Sequence, residues 1–212
     1  MSSQRNGAAE EPHAVDEPTT ERADAARNRA KILSAAQRLV SSGGVESLTM
    51  NEVARAAGVG VGTVYRRFGD HGGLVEAMMN QREHELQQAI ATGPPPLGPG
   101  ADPVQRIRAF LHAYADVLED YGPLMAPAEA TMSSTRRYRS GPYAVHHRHL
   151  TDLIAHARPQ ADAAYLADAF LASLAAGLYT HQRGHDQMNR DRIKAGLDDL
   201  VHGLRTNNTA TS

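Results

Sequence analysis

The stretch from Arg27 to Arg67 concentrates groups that suit a polyanionic partner. It holds seven bases against two acids, Glu46 and Glu52, within a chain of 212 residues whose 22 Lys+Arg and 24 Asp+Glu nearly cancel. A neutral total therefore hides a strongly positive segment, and what matters for nucleic acid is the distribution of charge rather than its sum. Near its end, Val61, Val64 and Phe68 recur at i, i+3, i+7, the spacing of an inward helical face. Gly62, Thr63, Arg66 and Arg67 are then left pointing outward. Gly62 omits a side chain where a backbone must come close to something.

Motifs for other chemistry are missing. Gly58-Val59-Gly60-Val61-Gly62 follows no strand, as a dinucleotide fold would require; no Gly-Lys-Ser/Thr phosphate loop occurs; and His84-Glu85 has no second His at metalloprotease spacing. No G-x-S-x-G elbow is present. An enzyme is not expected. The chain has no Cys, which removes disulfides, thiolate nucleophiles and Cys-bound zinc and suits a reducing cytoplasm. No apolar run reaches the roughly 20 residues of a membrane span, so neither a membrane partner nor export is expected. Histidines gather at His146, His147 and His149 and pair at His181 and His185. Successive helical residues do not converge and Gly184 weakens the second pair, so no metal and no cofactor is expected.

These residues need elements to position them, and every periodic segment is helical. A first helix follows Arg27, with Ile32, Leu33, Ala36, Leu39 and Val40 on one face, and Gly43-Gly44 ends it. Thr49-Met50-Asn51-Glu52 reads as a capping box, with Leu48 and Val53 as its hydrophobic staple. Gly58 turns the chain into a short third helix over 61–68, and Asp70 caps a fourth over 74–88. Two helices joined by so short a Gly-containing turn form a helix-turn-helix, whose second helix enters the major groove. Five prolines between 92 and 103 mark a boundary. Beyond it, helices are expected near 103–119, 123–132, 143–157, 161–182 and 188–204. The fold is expected to be all-α: a disordered acidic tail (1–24), a DNA-binding domain (25–92), a second helical domain (93–207) and a disordered C-terminus (208–212).

The run Thr49 to Phe68 resembles the TetR-family DNA-binding domain, matching its Thr, Val-Ala, Ala-Gly-Val, Gly-Thr, Val, Tyr, two basic residues and Phe. The resemblance implies a homodimeric transcription regulator with a palindromic operator and a small-molecule effector. Carried over, Thr49 and Tyr65 become phosphate contacts, Thr63 a phosphate or base contact, and Arg66 and Arg67 the readers of bases, since the Arg fork matches guanine O6 and N7. Two positions depart from the pattern: Gly60 stands in place of a Ser-like cap, and His71 in place of a phosphate-binding Lys. Imidazole is mostly neutral at pH 7 when unperturbed, which weakens that contact.

Eight of the ten aromatics lie beyond Pro103. Phe110, Tyr114, Tyr143, Phe170 and Tyr179, with Met125, Met132 and His147, form the candidate effector lining, since Tyr offers apolar walls with polar handles. Ala169, Ala172 and Ala176 give one helix a small face, and Ile193, Leu197, Leu200, Val201 and Leu204 stripe the last helix. The resemblance makes these two faces the dimer interface.

Overall fold

The computed structural model describes residues 17–139 and 141–204, and among these every regular element is helical. Helix α1 spans Glu17–Gly43. It starts ten residues before Arg27, so the expected disordered tail is corrected over 17–24, while residues 1–16 lie outside the described part. The tail reading rested on the segment's lack of apolar surface. Once Ile32, Leu33, Ala35, Ala36 and Val40 bury one face and nucleate the helix, extension costs little, because each added residue brings its own hydrogen bond. Pro18 sits in the first turn, where its missing N–H is harmless.

A 3-10 turn (Val45–Ser47) leads to α2 (Met50–Ala57). The Thr49 side chain accepts from the Glu52 amide at 3.2 Å. The expected capping box is only half made, because the Glu52 carboxylate turns to Arg55 instead. Gly58 takes the left-handed conformation (φ 60°), and Val59 donates back to the Ala54 carbonyl at 3.0 Å. That reverse turn sets α3 (Val61–Phe68) across α2. Helix α4 (His71–Thr92) follows from an Asp70 cap and packs on α1, α3 and the next long helix.

Helix α5 (Pro103–Thr131) is one continuous helix where two were expected, with Pro123 and Pro127 inside it. Each interior proline costs about 3 kcal/mol in an isolated helix. Here α5 is the central strut, packed against α4, α7, α9 and α10, and that burial outweighs the local penalty. Gly122 fits beneath α9, where an added Cβ would stand 3.3 Å from Thr180 Oγ1. Short α6 (Ser134–Tyr138) and α7 (Gly141–Ala157) come next.

The helix expected over 161–182 is two helices, α8 (Ala163–Ser173) and α9 (Ala176–Gly184), bent by 40°. No Gly or Pro marks the break. Leu174 drops into the core, and Glu129 of α5 accepts from the Ala176 amide at 3.1 Å, so a distant carboxylate caps the new helix. Helix α10 (Arg190–His202) closes the chain against α5. Among the described residues no single helix is long and apolar enough to cross a membrane; the apolar pair α8 and α9 buries Ala167, Phe170, Leu171 and Tyr179 within the protein.

Candidate nucleic-acid interface and ligand cavity

Helix α3 displays its candidate residues in a row. Val64 is fully buried and Phe68 half-buried, while Gly62, Tyr65, Arg66 and Arg67 are exposed and Thr63 is half-exposed. Val61, expected to face inward, is 39% exposed and lies at the rim, because α3 begins there and no helix covers its first turn. The side chains of Tyr65, Arg66 and Arg67 make no hydrogen bond or ion pair with any described residue. Arg55, by contrast, is neutralised by Glu52. A Cβ built on Gly62 would meet open space, so nothing among the described residues demands glycine there.

His71, expected at a phosphate, makes a contact within the chain. Its Nε2 lies 2.9 Å from the Leu48 carbonyl oxygen. Facing a carbonyl, that nitrogen donates, which leaves Nδ1 as the ring atom that could meet a phosphate. His71 thus ties the start of α4 to the segment that leads into α2. Gly73 completes the junction: Asp70 Oδ1 accepts its amide at 2.9 Å, and an added Cβ would fall 2.1 Å from the Phe68 carbonyl oxygen. Nothing in the sequence pattern marked Gly73, because the contact crosses two helices.

The C-terminal helices enclose a cavity of about 320 Å³ lined by Met79, Tyr114, Met125, Met132, Tyr143 and Leu174, among others. Pro142 of α7 and Leu174 at the break between α8 and α9 form part of its wall. A side chamber of about 120 Å³ shares Met79, Tyr114 and Met125 and reaches Glu83 and Tyr121. Of the expected lining, Tyr114, Met125, Met132 and Tyr143 meet here. His147 faces an open groove of about 790 Å³ beside Tyr138, Arg148 and Asp168. Phe110, Phe170 and Tyr179 are core: Phe110 supports the rings of Tyr114, His146 and His149, and Tyr179 donates to Glu119 at 2.8 Å. Their burial corrects the expectation that these three line a site.

The cavity's polar groups were not expected. Glu129 pairs with Arg137 at 2.8 Å, and buried His146 places Nε2 3.0 Å from Glu83 Oε1, outside the angles of a directed hydrogen bond. Burial pushes the Glu83 carboxyl up, but His146 and the Gln87 amide outweigh it and hold it below its usual value. Burial raises the Tyr114 hydroxyl, so it stays protonated and able to donate into the cavity. His149, half-buried beside Arg106 and His146, is pushed down to about 4 by that burial. The larger groove is the poorer candidate, since Tyr143, His147 and Asp168 already satisfy one another at 2.6 and 3.3 Å.

On the expected dimer faces, Ile193, Leu197, Val201 and Leu204 are at most 8% exposed within the single chain, packed on α5. They are intrachain core, as is Ala176. Only Leu200, Ala169 and Ala172 remain on the surface.

Residues 32–78 match the model of bacterial regulatory proteins of the tetR family. An HTH-type transcriptional regulator of Staphylococcus aureus (strain USA300) is 43% identical over 53 residues, a match spanning 25% of this chain and 29% of that protein. The chain thus covers under a third of the curated relatives it matches. The TetR transcriptional regulator SCO0520 from Streptomyces coelicolor shares the fold at TM-score 0.58 and 26% identity, over 83% of this chain and 97% of that one. A transcriptional regulator from Rhodococcus sp. Rha1 does so at TM-score 0.60 and 16% identity, over 83% and 95%. AibR, whose structure holds isovaleryl coenzyme A and operator DNA, aligns at TM-score 0.51 and 19% identity, over 80% and 95%. These relatives are regulators rather than enzymes. Residues 32–78 are thus a domain of the tetR family, and the chain as a whole is similar in fold to these regulators.

Proposed function

We propose that the chain is a cytoplasmic, homodimeric transcriptional repressor that binds double-stranded DNA at a palindromic operator and is released from it by a small-molecule effector. One observation carries this reading: α4 is built into both ends of the device. Its first turn, through His71 and Gly73, holds the exposed helix α3, while Met79 and Glu83 two and three turns later form cavity wall. Filling the cavity displaces Met79 and disturbs the Glu83–His146 pair, and a rigid helix transmits that displacement to α3. In AibR, a relative by fold, one structure holds both operator DNA and an acyl thioester.

Thr49 and Tyr65 take phosphate, Thr63 takes phosphate or a base, and Arg66 and Arg67 read base edges. The dimer uses the outward faces of α8 and α10, where Ala169, Ala172 and Leu200 are exposed. A two-fold axis there implies half-sites about one helical turn, roughly 34–36 Å, apart. The effector is mainly apolar, as three methionines and two tyrosines line its space, with an acceptor for the Tyr114 hydroxyl.

The test begins with selection of operator DNA from a random pool, followed by a ligand screen on thermal stability. An effector that releases DNA must bind the free protein more tightly than the operator complex, by the same factor that it weakens DNA binding. Equal effector affinity with and without operator excludes induced release. Failure to enrich any sequence excludes a specific operator.

A further inference from the structure

We propose that His181, His185 and Asp186 form a binding site for a divalent late transition-metal ion such as Zn²⁺ or Ni²⁺, separate from both the DNA face and the cavity. Helix α9 runs unbroken through Gly184, which removes the objection that glycine would part the two histidines. One turn apart, the imidazole rings stack with centroids 5.0 Å apart. The chain then folds back: the amides of His185 and Asp186 both donate to the His181 carbonyl, at 2.7 and 3.2 Å, and Met188 donates to Gln182 at 2.9 Å. That turn brings Asp186 Oδ1 within 3.5 Å of His181 Nε2. Ligand atoms from all three residues lie within 4.8 Å of one another.

Tetrahedral bonds of 2.0–2.1 Å place two ligand atoms about 3.3 Å apart. All three side chains are exposed and free to close that gap by small rotations. Two imidazoles and a carboxylate are the donors that late transition metals prefer over the all-oxygen sets of Ca²⁺ and Mg²⁺, and they leave positions for water. The negative end of the α9 dipole also favours a cation. Neighbouring guanidiniums turn elsewhere, Arg183 to Glu119 at 2.6 Å and Arg190 to Asp116 at 3.5 Å.

The test is calorimetric titration of the metal-stripped, tag-free full chain with ZnCl₂ and NiCl₂. One ion per chain is expected. His181→Ala, His185→Ala and Asp186→Asn should each weaken it by at least about tenfold, the loss that even an outer partner of a metal ligand causes. His156→Ala, an exposed histidine outside the cluster, should leave affinity unchanged. Zn²⁺ should raise the thermal midpoint of wild type more than that of Asp186→Asn, whose fold the exposed change leaves intact. No binding overturns the proposal, as does binding equally strong in the three variants or equally weakened by His156→Ala.

Discussion

The α3 surface and the C-terminal cavity solve opposite problems. The side chains of Tyr65, Arg66 and Arg67 stand exposed without a partner among the described residues, whereas Glu83, His146, Glu129 and Arg137 each face an opposite charge or hydrogen-bonding group across the cavity wall. A surface that must exchange water for phosphate keeps its donors free. An interior must satisfy its polar groups at once, because an unmet buried group costs about 1–3 kcal/mol. One consecutive segment can therefore encode the first. The second needs four helices from distant parts of the chain.

The comparison breaks most sharply at Gly73. Valine there would drive a Cβ into the Phe68 carbonyl and force α3 away from α4, costing about 3 kcal/mol. Thermal unfolding should show the loss, and DNA binding should fall with it. Cavity ligand affinity in the protein that remains folded should change little, because Met79 and Tyr114 lie beyond the junction. Loss of both together would show that the regions are not separable.

His149 tests the interior alone. Its folded value near 4 lies below the 6.5 of the free side chain, so the unfolded chain takes up the proton first. Stability is complete above 6.5 and is lost as pH falls from there to about 4. After discounting for partial exposure, about 2 kcal/mol is at stake. His149→Leu should flatten the thermal midpoint across that window; an unchanged slope would assign the pH dependence elsewhere.

Arg66→Ala tests the surface alone. It should cost about 1–3 kcal/mol in operator binding and relax preference at one position per half-site, without moving the thermal midpoint. A selection returning an unaltered motif would remove Arg66 from base readout. The smallest effect belongs to His71. If its imidazole is committed to Leu48, His71→Lys should change the salt slope of binding by up to about 0.9 per half-site only by creating a new phosphate contact. It should also lower stability by about 1 kcal/mol, because the bond to Leu48 is lost. Equal stability would show that the bond to the Leu48 carbonyl contributes nothing.

Local chemistry was legible wherever a residue and its partner lie within one turn. Thr49 and Asp70 cap their helices, Gly58 takes the left-handed turn, and the i, i+3, i+7 pattern that buries Val64 exposes Arg66 and Arg67. Such features depend on neighbours three or four residues away, and the sequence prints them side by side. It therefore determined the all-helical class, the helix-turn-helix and the face of α3 that meets solvent.

Tertiary structure decided everything set by residues far apart. Burial against α4, α7, α9 and α10 carried α5 through two prolines that local propensity would have used as stops. Glu129 cut α8 from α9 at a point with no breaker, because a carboxylate 47 positions away supplies the cap. The Ile193, Leu197 and Val201 stripe could serve a partner chain or the chain's own core with the same spacing, and only the position of α5 settled it as core. Periodicity reports that a face is apolar. Which surface covers that face is a matter of long-range packing, and one sequence carries no term for it.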